Sequence, residues 1–220
     1  MKPVVRDPIA EDLERSLVDP NLASMGKDYG ELLLDTVMDD PSLKAIPVFG
    51  TLIGLYKASK TISDRILMKK LVSFLRELRD IPAETRREQI RKLSDDPKYS
   101  GTVGETLFLL LDKQNNIDKP ALLARGFRAY LLGVIPYEVF LRLAHALDRL
   151  DVTYLDSIKA TYGPPKCAAK ETELEHLFSC GLVKLDFEDV GKWGGGRPEY
   201  GKNELGALFY AHLLNDAKNP

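Results

Sequence analysis

The chain has 220 residues, of which 31 are Lys or Arg and 33 are Asp or Glu, with 44% apolar and 8% aromatic side chains. This composition is typical of a folded, soluble chain and excludes the disordered and fibrous classes. The longest nearly uncharged run covers residues 45–56, which is well short of the roughly 20 residues that a membrane-spanning helix needs.

The cysteine pattern argues against a disulfide scaffold or a zinc site. Cys167 and Cys180 do not form a Cys-x-x-Cys pair, and no histidines flank them at zinc-ligand spacing. The amino terminus runs from Met1 into charged residues without the apolar stretch of a secretory signal. We therefore expect ordinary thiols in a reducing, cytoplasmic setting.

The net charge of −2 hides a segregation of charge along the chain. Residues 1–44 carry five basic and ten acidic side chains, whereas residues 45–100 carry twelve basic and seven acidic ones. Packing of the two blocks, or solvated helix faces, explains this pattern, and so does a basic surface for an anionic partner. The total is far from the strongly basic balance of a dedicated nucleic-acid binder.

Helical periodicity predicts an all-helical bundle over residues 1–162. Asp7 and Pro8 have the residue types of an N-cap and a first helical position, and apolar spacing predicts a second helix over residues 29–37. Proline, capping-box and glycine signals place further helix starts near residues 82, 102, 118, 136 and 151. Because the helix after Pro82 is very charged, we expect it on the outside.

The segment over residues 46–79 allows two interpretations. Thr61 and Asp64 have capping-box spacing, which favours a break near residue 60. No proline or glycine forces that break, and an unbroken helix from Pro47 to Arg79 would be about 50 Å long.

The sequence Tyr162-Gly163-Pro164-Pro165 is the clearest helix breaker in the chain. We predict a domain boundary there, with residues 1–162 as the bundle and residues 163–220 as a second module. The elements predicted in this module are a helix (171–180), an alternating strand (182–187), a glycine-rich tip (191–198), a return strand from Tyr200 and a closing helix (203–214).

This order of elements resembles the winged-helix family over roughly the last fifty residues. The residues that carry the resemblance are Leu174, Leu177 and Phe178 in the recognition helix, Gly181-Leu182-Val183 in the first wing strand, Tyr200 in the return strand, and residues 204–208 in the last helix. Partial candidates for the family's earlier helices lie in residues 151–162. The resemblance implies a mainly helical protein with a small carboxyl-terminal winged-helix-like module.

Winged helices often place the recognition helix in the DNA major groove, where Lys and Arg neutralise phosphates. The matching helix here carries Glu171, Glu173 and Glu175 and no Arg. Three carboxylates that face a phosphate backbone would repel it. We therefore disfavour nucleic acid as a partner.

The tip of the wing offers a different kind of site. Lys192, Trp193 and Arg197 lie in the glycine-rich loop. A Trp flanked by cations can anchor a partner protein, stack on a base, or fold back onto its own domain. We predict that these three residues bind a protein partner, with Trp193 as the main anchor.

The apolar segment suggests a second surface. Gly50 and Gly54 have the spacing that lets two helices approach closely, either inside the bundle or between copies of the chain. The helix that follows the apolar segment is amphipathic and carries cations. Such a helix either covers the core of its own bundle or lies on an anionic membrane. The candidate residues for membrane contact or self-association are Phe49, Gly50, Gly54, Lys69 and Lys70.

No set of residues has catalytic spacing. His145, His176 and His212 each stand on a separate predicted helix, and none has both a nucleophile and an orienting partner nearby. The loop that starts at Asp112 lacks the glycine and glutamate of a calcium loop, and residues 194–196 lack the strand and helix of a phosphate cradle. We expect no enzymatic activity, no cofactor and no metal.

These observations favour a non-catalytic cytoplasmic regulatory or adaptor protein that acts through protein-protein interaction, with self-association as a further option. The first alternative is a membrane-surface effector that uses residues 46–78, and the second is a winged-helix transcription regulator. Residues 46–57, Ile-Pro-x-x-Gly-x-x-x-Gly-Leu-Tyr-Lys, are similar to a segment of uncharacterised bacterial helical proteins, a resemblance that implies no activity.

Overall fold

The computed structural model describes residues 7–26, 40–59, 61–99, 103–164, 169–187 and 198–215. These residues are mainly helical and include a two-stranded antiparallel sheet, which confirms the predicted fold class at that level. The helix predicted over residues 29–37 lies outside the described residues. Among the described helices, none combines the length and the apolar character that crossing a bilayer would require.

The chain divides into two compact units, residues 1–134 and residues 135–220. Residues 135–162, which the sequence assigns to the bundle, therefore pack with the carboxyl-terminal elements. The domain boundary that the sequence places after residue 162 stays a prediction.

The first unit contains seven described α-helices. They are α1 (Pro8–Val18), α2 (Pro41–Lys44), α3 (Pro47–Ser59), α4 (Ile62–Arg76), α5 (Ala83–Asp95), α6 (Val103–Lys113) and α7 (Lys119–Leu131), with a 3₁₀ turn (Pro20–Ser24) after α1. The predicted caps form: the Asp7 carboxylate accepts a hydrogen bond from the Ile9 N–H at 2.8 Å, and Thr61 Oγ1 accepts one from the Asp64 N–H at 3.2 Å. The cap at Thr61 starts α4 as a helix separate from α3.

Helix α1 is central to the first unit, because α3, α5 and α6 all pack against it. Its residues Leu13 and Leu17 are fully buried. The buried Ser16 hydroxyl donates to the Asp12 carbonyl oxygen at 2.7 Å and accepts from the Val48 N–H at 3.0 Å. Ser16 thereby satisfies a backbone N–H in the first turn of α3, which stabilises the crossing of the two helices.

Helix α5 is not entirely on the outside, as its charge had led us to expect. One of its faces is buried through Arg86, Ile90 and Leu93. Arg86 donates from Nε to the Ile81 carbonyl oxygen at 3.1 Å, from Nη1 to that of Leu17 at 2.7 Å, and from Nη2 to that of Asp19 at 3.0 Å. Burial lowers the pKa of Arg86, and the Asp19 carboxylate opposes that shift.

The second unit contains helices and a hairpin. Its described elements are α8 (Tyr137–Arg149), a 3₁₀ turn (Val152–Tyr154), α9 (Leu155–Tyr162), α10 (Glu171–Ser179), β1 (Val183–Phe187), β2 (Pro198–Lys202) and α11 (Glu204–Phe209), which continues into a π-helical turn (Tyr210–Leu214). The strands pair antiparallel, with Leu185 opposite Tyr200. The predicted hairpin and the predicted closing helix (203–214) are both confirmed, and the last turn of that helix is π-helical.

The Tyr162 hydroxyl connects α9 to both ends of the hairpin. It donates to the Leu182 carbonyl oxygen at 2.5 Å and accepts from the Asn203 N–H at 3.0 Å. Burial raises the pKa of Tyr162, and the hydrogen bond from Asn203 opposes that shift. Gly206 lies against this hydroxyl and against the Leu182 carbonyl, so the start of α11 packs directly on the base of the hairpin.

Candidate functional site

The predicted partner-binding residues at the wing tip, Lys192, Trp193 and Arg197, lie outside the described residues. Their role in binding a protein stays a prediction. The two strands that flank the tip are described, and α10 packs against both of them. The exposed side chains of α10 and β2 therefore form the surface on which a site can be built.

Helix α10 presents an acidic and aromatic stripe to solvent. Glu171, Glu175 and Phe178 are spaced by four and three residues, which places them on one face of the helix, and all three are exposed. Leu177, on another face, is fully buried. Phe178, one of the residues that carry the winged-helix resemblance, keeps 45% of its surface exposed.

Tyr200 of β2 completes this surface. Its ring centroid lies 6.0 Å from that of Phe178, and the ring planes are inclined by 55°, an arrangement that aromatic pairs favour. Desolvation, followed by the charges of Glu175 and Glu171, raises the pKa of Tyr200 above its ordinary value of 10.0. We call these four residues the acidic-aromatic face.

The prediction that Glu173 also faces outward is wrong. Its carboxylate accepts a hydrogen bond from the Lys170 N–H at 3.1 Å and one from the Ser157 hydroxyl at 2.9 Å. These two hydrogen bonds lower the pKa of Glu173. Glu173 thus completes the cap of α10 and ties this helix to α9, so two glutamates rather than three remain on the exposed face.

His176 has a structural environment in the second unit. Its Nε2 atom accepts a hydrogen bond from the Asp151 N–H at 3.2 Å, and its ring stacks on Tyr154 with 4.2 Å between centroids. The Ser179 hydroxyl donates to the His176 carbonyl oxygen rather than to the ring. The hydrogen bond to His176 Nε2 therefore stabilises the turn before α9.

The other two histidines lie on separate elements of the second unit. His145 is exposed on α8, and desolvation lowers the pKa of His212 in the π-helical turn. Within the described ranges, no three His, Cys, Asp or Glu residues come together in a group that could hold a metal ion.

Two of the five residues predicted for membrane contact or self-association are buried. Phe49 is fully buried in the core. Lys70 is also buried, and its Nζ atom donates to the Asp112 carbonyl oxygen in the last turn of α6 at 2.8 Å. Desolvation lowers the pKa of Lys70, and the Asp112 carboxylate opposes that shift. Phe49 and Lys70 are therefore not part of the predicted surface, because both are packed inside the first unit.

Gly50, Gly54 and Lys69 are exposed. A Cβ atom at Gly54 would meet nothing within 4 Å, and one at Gly50 would meet the Lys44 carbonyl oxygen at an ordinary 3.7 Å. Among the described residues of the first unit, the two glycines therefore do not serve tight packing. Lys69 shares the exposed side of α4 with other residues that the membrane interpretation had not singled out.

Replacement of Gly54 by Ala is expected to raise the free energy of unfolding by about 0.5–1 kcal/mol, since Ala restricts the unfolded chain and favours helix at an open position. Urea unfolding of the two proteins measures the difference. Gly104→Ala is the control, because its Cβ would overlap the Ala10 carbonyl oxygen and should destabilise. A loss of stability in Gly54→Ala that depends on protein concentration would place Gly54 in a self-association interface instead.

Comparisons of the chain with protein-family models, with curated proteins and with solved structures give no match.

Proposed function

We propose that the protein is a non-catalytic adaptor or regulatory protein whose second unit binds a Lys- and Arg-rich segment of another protein. The observation that carries this proposal is the acidic-aromatic face. The exposed Phe178 and the half-buried Tyr200 supply the apolar contact that anchors an interface. Glu171 and Glu175 beside them favour a basic partner and steer its approach.

The proposal includes a winged-helix-like interpretation of the second unit. Helices α8, α9 and α10 precede the hairpin, and α11 follows it, in the order that the family uses. On this interpretation α8 corresponds to the family's first helix, whereas the sequence had offered only partial candidates for the earlier helices, in residues 151–162. Helix α10 then corresponds to the recognition helix, and it binds a protein instead of DNA.

The charge of α10 disfavours the alternative of a transcription regulator. Glu171 and Glu175 lie on the exposed side of the helix that would enter the DNA groove, and a phosphate backbone would be repelled by both. A basic protein segment experiences the opposite force at the same surface. Trp193, which the sequence predicts as the main anchor, stays a prediction for the same interaction.

The expected result of Phe178→Ser is a loss of affinity for the partner of tenfold or more, because truncation of a central aromatic anchor typically costs about 2 kcal/mol. Glu171→Lys with Glu175→Lys should abolish binding of a basic segment. The full chain is immobilised, proteins retained from a native lysate are identified by mass spectrometry, and each is purified and titrated against the variants. Because Glu171 and Glu175 are exposed, the thermal unfolding of the double Lys variant should match that of the wild type. Phe178→Ser loses the contact with the Tyr200 ring and should unfold at a slightly lower temperature, while remaining folded at the temperature of the titration.

The matched control is Glu199→Lys, an exposed acidic residue on the other face of β2 from Tyr200. This change should leave the affinity within about threefold. Retention of the same proteins by all variants of the acidic-aromatic face would refute the proposal. Loss in Trp193→Ala but not in Phe178→Ser would move the site to the wing tip, and a salt-sensitive shift of duplex DNA would favour the transcription regulator.

A further inference from the structure

The outer face of α4 carries apolar and cationic side chains together. Ile62, Arg65, Ile66 and Lys69 follow one another at spacings of three, one and three residues, which places all four on one side of the helix. All four are exposed, with 75% of Ile62 and 42% of Ile66 open to solvent. We call these four residues the cationic face of α4.

The core of the first unit does not account for the two isoleucines. Helix α4 buries its opposite side, through Met68, Leu71 and Leu75. Ile62 and Ile66 point away from that side, so their apolar surface is left in water when the chain is alone. A single exposed apolar residue needs no explanation, but two on one helix face between two cations have the pattern of a helix that binds at an apolar-polar boundary.

The end of α3 extends this composition. Leu55 is 45% exposed and Lys57 is exposed, and α3 packs against α4 within the first unit. The acidic residue on this part of α4 is Asp64, whose carboxylate accepts a hydrogen bond from the Thr61 hydroxyl at the helix start. The exposed charge of this surface is therefore dominated by Lys57, Arg65 and Lys69.

We propose that the cationic face of α4 binds an anionic phospholipid surface, with the helix lying in the plane of the interface. Arg65 and Lys69 contact the lipid phosphates, while Ile62 and Ile66 enter the boundary below them. A bilayer is the occupant that matches both parts of this surface. A second copy of the chain would bring the same cations against each other, and a nucleic acid would leave the isoleucines in water.

The apolar run of α3 does not supply this membrane contact. Phe49, Leu52 and Ile53 of that run are buried in the core. The membrane contact therefore has to come from side chains that face away from the core, and it leaves the fold of the first unit unchanged. It is also independent of the acidic-aromatic face, which lies in the second unit.

The test is flotation of the full chain with vesicles of phosphatidylcholine containing phosphatidylglycerol, compared with vesicles of phosphatidylcholine alone. The wild type should float with the anionic vesicles, and rising salt should weaken this binding. Ile62→Ser with Ile66→Ser should lower the partition coefficient at least about tenfold. Arg65→Glu with Lys69→Glu should lower it at least about a hundredfold.

Two matched controls lie elsewhere on the first unit. Ile117→Ser removes an apolar side chain of similar exposure, and Lys92→Glu reverses an exposed cation on α5; both should bind as the wild type does. Failure of the wild type to float with anionic vesicles would overturn the proposal, and so would equal binding to both vesicle types. Light scattering that shows a wild-type dimer and a monomeric Ile62→Ser with Ile66→Ser variant would assign the face to a second copy instead.

Discussion

Arg86→Met is expected to lower the free energy of unfolding by about 3 kcal/mol or more. The substitution keeps most of the aliphatic volume but removes all three hydrogen bonds from the guanidinium to the carbonyl oxygens of Ile81, Leu17 and Asp19. A buried carbonyl that is left without a donor costs about 1–3 kcal/mol, whereas the Asp19 carbonyl oxygen keeps the Leu22 N–H as a second donor at 3.3 Å. Met also removes the cost of burying the guanidinium charge. The expected loss in the free energy of unfolding is therefore smaller than the sum of the individual hydrogen-bond contributions.

Urea unfolding of the purified full chain, followed by circular dichroism, measures this effect. Arg87→Met is the matched control, because Arg87 is the next residue on the helix and forms an exposed ion pair with Glu84. Such a pair contributes about 0–1 kcal/mol. If the two variants unfold at the same urea concentration, Arg86 does not hold α5 to α1 as described.

Gly206→Ala is expected to lower the free energy of unfolding by about 3 kcal/mol and to loosen the hairpin of the second unit. A Cβ at this position would overlap both the Leu182 carbonyl oxygen and the Tyr162 hydroxyl. Because these two atoms are hydrogen-bonded to each other, neither can move aside alone. Relief of the overlap therefore requires a shift of the α11 backbone away from β1, and such overpacking costs about 1–3 kcal/mol or more.

The control for this prediction is Gly201→Ala on β2. There the added Cβ would meet the carboxylate end of Asp186, which can swing into solvent, so the expected cost is below about 1 kcal/mol. Thermal unfolding of both variants beside the wild type makes the comparison. Equal stability of Gly206→Ala and Gly201→Ala would contradict the close packing of α11 on the hairpin.

The two proposed surfaces have opposite chemistry. The acidic-aromatic face combines Phe178 and Tyr200 with carboxylates, whereas the cationic face of α4 combines isoleucines with Lys and Arg. A basic protein segment and an anionic lipid surface therefore do not compete for one site. An adaptor that holds a partner protein at a membrane would need two such distinct surfaces. The variants of each face test the two surfaces independently.

Helix ends were well predicted, because their signals are local. Asp7 and Thr61 cap the helices that they precede, since a short polar side chain reaches the free N–H groups two or three residues ahead. Gly133 and Gly181 follow helices and have φ values of 72° and 78°, a conformation that a Cβ atom would strain. The hairpin was predicted for the same reason, as its alternation is read from neighbouring residues.

Burial of the charged residues was not predictable in this way. Composition placed α5 on the outside, yet Arg86 is buried because the carbonyl oxygens of Leu17 and Asp19, 69 and 67 positions away, need its donors. Lys70 and Lys69 are adjacent cations, and one is buried on Asp112 while the other is exposed. No local pattern in the sequence predicts the burial of Arg86 or of Lys70, because their hydrogen-bond acceptors lie far away in the chain.

The candidate site shows the same division. Helical spacing is enough to place Glu171, Glu175 and Phe178 on one side of α10, and Ile62 with Ile66 on one side of α4, although the sequence analysis predicted neither group and counted Glu173 with the outward glutamates. By itself the sequence thus determined where the helices and the hairpin form and which side chains share a face. Only the tertiary structure decided which face meets a neighbour and which meets water, because that choice depends on contacts between residues far apart in the chain.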